Sequence, residues 1–183
     1  MVSYKAIFIS IILFLFSPIL LFSQEALPQG YANIRLGMTV DEVKEALKKN
    51  SDFGYMGDRD VSWLPGDNRV IIETDSSRFA PYSYLDRCWF QFYEDKLYII
   101  TITVKTDKMD HHSVFSSLCK KYGNPTSLNP SKSEWSNDSV IMTLERPLTL
   151  KYTDKVVFDK LLGDSKVNKT TQEKGRESFL EGL

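Results

Sequence analysis

The sequence predicts an α+β fold, an antiparallel β-sheet with helices packed on one face. Three observations carry that prediction. Runs of β-branched and aromatic residues follow one another through short polar turns, as antiparallel hairpins require. Two stretches, Val40 to Leu47 and Val114 to Tyr122, place apolar residues at spacings of three and four, the signature of amphipathic helices. Each of these stretches precedes a group of strands, so the order is helix, strands, helix, strands, short helix. That is two helix-plus-strands units, not the strict alternation of a parallel α/β sheet.

The chain has 183 residues, 42% hydrophobic and 26% charged, an ordinary composition for one domain. Its formal charge is −1. With no basic excess, bulk attraction to nucleic acid or to an anionic membrane is excluded as an organising principle.

Residues 1–23 hold one early cation, Lys5, then the apolar run Ala6 to Phe22, interrupted by Ser10, Ser17 and Pro18. Polarity changes abruptly after Ser23, at Gln24-Glu25. This is the pattern of a secretory signal peptide, and the mature chain is expected to begin at Gln24. The alternative is an uncleaved N-terminal anchor in the inner membrane, because the run is nearly long enough to span a bilayer. No cysteine lies near the polarity step, so a lipid-bearing cysteine is not available there. Residues 24–33, with Pro28 and Gly30, read as a linker, residues 34–162 as the α+β domain, and residues 163–183 as a flexible polar tail.

Within the domain, Thr39 followed three residues later by Glu42 is a capping box opening a helix from about Val40 to Lys49. Asp41 and Glu42 at its start and Lys48 and Lys49 at its end complement the helix dipole. Val61 to Leu64 and Val70 to Thr74 read as paired strands about a Pro65-Gly66-Asp67-Asn68 turn, and Asp75 to Tyr84 as a loop. Arg87 to Tyr93 and Leu97 to Val104 give the clearest hairpin. A three-residue turn would put Cys88, Phe90 and Phe92 on one face with Tyr98, Ile100, Ile102 and Val104. A turn one residue different would substitute Leu97 and Ile99, and the sequence leaves both registers open. Asp107 to Tyr122 reads as the second helix, stopped by Gly123 and Pro125. Glu134 to Ser136 and Ser139 to Leu144 form a further hairpin about Asn137-Asp138, and Leu148 to Tyr152 a last strand. Thr153 is a candidate cap for a short closing helix over 154–162.

Little in this pattern carries chemistry. His111 and His112 are adjacent, so on a helix they point about a hundred degrees apart and cannot easily share a metal. Gly54 and Gly57 are isolated, without the Lys-Ser/Thr of a phosphate loop, and there is no Gly-x-Ser-x-Gly elbow. No catalytic residue, metal site or cofactor is expected. Cys88 and Cys119 are the only cysteines; a structural disulfide between them and two buried thiols remain equally open. Trp89 and Tyr93, alternating with Phe90 and Phe92, are the candidate interface, being amphipathic side chains on one sheet face, with the opposite face as the alternative if the register is shifted.

The residues Gly37-Met38-Thr39, Glu42-Val43 and Leu47 resemble the start of the BamE/SmpA-like family of small envelope modules, related to β-lactamase-inhibitor-protein-like folds. Phe115 to Pro125, with Leu118 and Tyr122-Gly123-Asn124-Pro125, resembles a second helix of that style. The resemblance implies helices set against an antiparallel sheet, and otherwise an exported bacterial protein. The chain departs from the outer-membrane assembly members in lacking their lipid-bearing cysteine and in its longer intervening strands. The expectation from sequence is therefore a non-enzymatic, exported, periplasmic or envelope module that binds a protein partner or supports envelope assembly. The alternative is a small periplasmic ligand carrier or enzyme with a site not visible in the sequence.

Overall fold

A computed structural model of the protein describes residues 26–64 and 68–182, with residues 164–175 and 177 as backbone only. The expected signal over 1–23 and the tip of the first hairpin, 65–67, lie outside the described residues.

Helix α1, Val40–Lys49, begins at the capping box read from the sequence. Thr39 N donates to Glu42 Oε2 at 2.8 Å, and Glu42 N donates to Thr39 Oγ1 at 3.3 Å. These bonds satisfy backbone donors that a helix start leaves free. A third, Val40 N, donates at 3.1 Å to the carboxylate of Asp95, far along the chain. The residues just before the helix are fixed by two backbone bonds, Gly37 N to Leu97 O at 2.8 Å and Leu97 N to Met38 O at 2.9 Å. Ahead of them, β1 (Gly30–Tyr31) pairs with β2 (Ile34–Arg35), so the stretch expected as a linker over 24–33 is already structured at Gly30. A β-carbon on Gly30 would lie 2.1 Å from the Ile34 carbonyl oxygen, so only glycine fits this approach.

Eight strands form one antiparallel sheet. They are β3 (Val61–Leu64), β4 (Arg69–Asp75), β5 (Leu85–Tyr93), β6 (Lys96–Val104), β7 (Ser127–Leu128), β8 (Lys132–Ser136), β9 (Val140–Glu145) and β10 (Thr149–Asp154). Their spatial order is β3-β4-β5-β6-β10-β9-β8-β7. Each of the two units is a meander that starts at an outer edge and steps inward. The last strands of the two meanders, β6 and β10, pair at the centre, with Tyr152 opposite Ile100.

The β5–β6 register combines both sequence alternatives. The turn is Glu94-Asp95, both with positive φ (49° and 58°), as the tight primed hairpin turns require. A bulge on β6, opposite Gln91 and Phe92, inserts one extra residue, Tyr98. Leu97 therefore faces Phe92 on the core side, while further along Ile100 faces Phe90 and Ile102 faces Cys88.

Helix α2 (Ser76–Phe79) is a single turn inside the stretch expected as loop. Helix α3, His111–Tyr122, starts after Asp110 rather than at Asp107; the Asp110 carboxylate accepts from Ser113 N at 2.8 Å, and Gly123 N closes the far end on Cys119 O at 2.9 Å. Residues of α1 and α3 share one buried cluster with Phe90, Ile100, Met142 and Leu144, on one face of the sheet. Ring contacts stitch it, Phe53 to Phe90 at 5.8 Å and Phe115 to Trp135 at 6.0 Å between centroids.

Helix α4 spans Lys155–Glu181. It was expected to stop near Leu162 before a polar tail, and instead its backbone stays helical past Gly163. Its cap is Asp154, whose carboxylate accepts from Val157 N at 3.0 Å, and the expected cap Thr153 belongs to β10. Lys160 Nζ lies 5.4 Å from the Tyr93 ring centroid, so α4 reaches the sheet face opposite Phe90 and Phe92.

Candidate functional site

Strand alternation sends Trp89 and Tyr93 of β5 away from the core, opposite Glu73 and Arg69 of β4. Both are only half-buried, but Tyr93 lies beneath Lys160 of α4. Around Trp89 the same face carries charge: Arg87 Nη1 lies 3.4 Å from Glu73 Oε1, and Arg87 Nη2 lies 3.9 Å from Asp75 Oδ2. The surface expected from sequence is thus a partly covered, charged sheet face.

The open aromatic surface lies at the sheet's edge. Trp63 on β3 is 68% exposed, and Leu64 and Met56 are exposed with it. Strand β3 pairs with β4 alone, Trp63 lying opposite Val70, so its outer edge has no neighbouring strand among the described residues. Trp63 points to the helix side, like Val70 and Ile72, but it remains open where those two are buried. Beside it a depression of about 340 Å³ is floored by Arg69 and Val70 and rimmed by Glu94 and Asp95 of the β5–β6 turn. Sequence reasoning placed Trp63 in a strand and passed over it. The available signal was position: the first, four-residue strand of a meander, ending at a Pro-Gly turn, is an edge strand.

A larger cleft, about 570 Å³, opens where the start of α3 overhangs the beginning of β8 and the end of β9. It gathers His111 and His112 with Lys132 and Arg146, between the apolar side chains of Phe115 and Leu128. The histidines were read as a solvated helix start; Arg146, distant in sequence, was not singled out. Burial, and after it the neighbouring Arg146 cation, hold His111 below the usual imidazole range. Lys132 Nζ lies 2.8 Å from Glu134 Oε2, which holds the ammonium above its ordinary range. His112 Nε2 is 3.4 Å from Ser116 Oγ. Among the described residues no three His, Cys, Asp or Glu side chains gather as metal ligands.

Cys88 and Cys119, for which the sequence left a disulfide and two thiols equally open, are both free thiols in the structure. Cys88 is buried on β5 beside Thr74 and Ser76, and that burial pushes its thiol up to about 12. Cys119 sits half-buried on α3, the helix that packs through Phe115 against Trp135 of β8 in the other unit.

Among the described residues no helix is long and apolar enough to cross a membrane. The family model of the TP0088 domain matches residues 29–164, a span that opens just before β1 and closes in the first turns of α4. No curated protein and no solved structure matches the chain.

Proposed function

We propose, for a chain that belongs to the TP0088 domain family, that it is a non-catalytic exported module of the cell envelope acting by contact with a protein partner. The observation that carries this reading is Trp63, two-thirds exposed on an edge strand that has no strand on its outer side among the described residues. An edge strand offers a row of backbone donors and acceptors to an incoming strand, and soluble proteins normally blunt such edges with charge or proline. Here the edge strand carries Trp63-Leu64 immediately ahead of Pro65. Strand addition with a tryptophan anchor is a recurring way to recognise an extended peptide: the backbone supplies affinity and the anchor supplies selectivity.

The export half of the proposal rests on residues 1–23, and its consequence is a mature chain starting at Gln24. Intact mass of the protein from the native envelope fraction tests it; a mass retaining those residues turns the signal into an inner-membrane anchor. The resemblance of Gly37-Met38-Thr39 and Glu42-Val43 to BamE/SmpA-like modules supports the same location.

The contact is tested by placing a photo-crosslinking residue at position 63 and, separately, at Ser117 on the exposed side of α3. The expected result is one discrete adduct from position 63 and none from 117. Trp63→Ala should then weaken binding of the identified partner by about thirtyfold, the scale of a single hot-spot tryptophan. Equal crosslinking from both positions, or full binding by Trp63→Ala, refutes the assignment.

A further inference from the structure

We propose that the cleft at the start of α3 binds a small anionic amphiphile, a monocarboxylate with an apolar body of medium-chain fatty-acid size. The cleft lies beside β7 and β8, at the sheet edge farthest from Trp63, so it is a second site and does not depend on the partner contact.

The ionisable side chains that line it are His111, His112, Lys132 and Arg146, and no carboxylate lines it. Their charges do not count equally. Lys132 is neutralised by Glu134 at 2.8 Å, and burial, with Arg146 after it, holds His111 toward its neutral form. The uncompensated cation is Arg146. Its Nε donates to Pro130 O at 3.1 Å, which anchors the side chain. Among the described residues its terminal amino groups have no protein partner. A guanidinium held at one nitrogen and open at two suits the planar, two-oxygen geometry of a carboxylate. One net positive charge also matches one negative charge better than the double charge of a phosphate.

The rest of the lining sets the apolar Phe115, Leu128 and Pro130 beside the small polar side chains of Asn129, Ser131 and Ser133. Phe115 is held by Trp135 at 6.0 Å, so that wall is preformed. Leu128 is 65% exposed on a strand of two residues at the sheet's edge. A free volume of about 570 Å³ falls in the range of small-molecule sites, and it exceeds what a lone carboxylate fills. The apolar body accounts for the remainder, and its burial against Phe115 and Leu128 supplies the non-electrostatic part of the affinity.

Binding should also depend on pH. An anion beside Arg146 cancels that cation's effect on His111 and favours the imidazolium, so binding takes up a proton and tightens as pH falls from 7.5 to 5.5. The other charged groups nearby are engaged. Asp110 accepts from Ser113 N and Oγ, Glu134 pairs with Lys132, and Glu145 accepts from Thr143 Oγ1 at 3.0 Å.

The test titrates decanoate, decanol and inorganic phosphate separately into the purified protein, followed by NMR of the histidine rings and leucine methyls. Saturable decanoate binding is expected, with shifts at His111 and Leu128, and with decanol and phosphate each at least about tenfold weaker. Arg146→Gln should weaken decanoate about tenfold or more, Arg146→Lys should restore part of the loss, and Leu128→Ser should weaken decanoate without creating phosphate binding. Circular dichroism verifies that each variant is folded. No decanoate binding, decanol or phosphate as tight as decanoate, or an unaffected Arg146→Gln overturns the proposal. Trp63→Ala should leave decanoate binding unchanged, so failure of one site is distinguishable from failure of the other.

Discussion

Replacing Trp135 by Phe isolates the tie between the two secondary-structure layers of the second unit. Trp135 on β8 is 2% exposed, and its Nε1 donates at 2.8 Å to the carbonyl of Gly123, the residue that ends α3. The same ring lies 6.0 Å from Phe115, one face of that helix. Phenylalanine keeps an aromatic ring against Phe115 but removes the N–H and the second ring's volume. The lost donor leaves a carbonyl that is only partly buried, a cost near the lower end of the roughly 1–3 kcal/mol for an unsatisfied group. The missing ring atoms leave space that the close-packed core refills only in part, adding about 1–2 kcal/mol. Together these predict a loss of about 2–3 kcal/mol, below the roughly 3–5 kcal/mol of a full truncation to Ala. With a urea slope of about 2 kcal/mol per molar, the unfolding midpoint should fall by about 1–1.5 M at unchanged slope. Equilibrium urea unfolding followed by far-UV circular dichroism measures it. A midpoint within about 0.2 M of wild type would show that the helix end does not rely on the indole, and would refute the reasoning.

Three more perturbations probe other parts of the fold. Thr39→Ala should cost about 1 kcal/mol in the same urea assay by opening the capping box. Its partner's carboxyl is held below the ordinary glutamate range by Thr39's backbone and side-chain bonds. Wild type should therefore gain on Glu42→Gln above about pH 4.3 and lose that gain as pH falls through the lower folded value, read from unfolding midpoints between pH 3 and 7. Gly30→Ala should detach β1 from β2, since its β-carbon would meet the Ile34 carbonyl at 2.1 Å, and hydrogen exchange at Leu36 N, bonded to Gln29 O, should accelerate while exchange in β5 does not. Thiol labelling should modify half-buried Cys119 in the native protein and reach Cys88 only after denaturation without reductant; a single reactive thiol in the denatured, unreduced protein, or none, would contradict the unbridged pair.

The features legible in the sequence are those closed by bonds a few residues long. Thr39 and Glu42 cap α1 because the donor and the acceptor are three residues apart. Gly123 stops α3 in the same way, and the β3–β4, β5–β6 and β8–β9 hairpins announced themselves through two strand-forming runs and a short turn. The α+β class follows from those pieces in order. Where bonding depends on partners distant in the chain, the local signal was insufficient. The bulge at Tyr98 merged two registers that looked exclusive, because the Glu94-Asp95 turn and the buried face each imposed a constraint. Asp154 capped α4 once Thr153 had been taken into β10 opposite Ile99.

The candidate sites show the same division. Trp63 and Trp89 both sit in strands, and residue type alone does not separate them. Exposure distinguishes them, and exposure depends on whether a strand has neighbours: β5 lies between β4 and β6 with α4 reaching its outer face, whereas β3 has β4 alone. Likewise His111 and His112 read as a plain helix start until chain folding brought Arg146 and Lys132 beside them. Short-range hydrogen bonding is written residue by residue, so the sequence by itself determined the fold class and most of its elements. A surface exists only where the packed elements leave one, so the cleft and the open edge were decided by the tertiary structure.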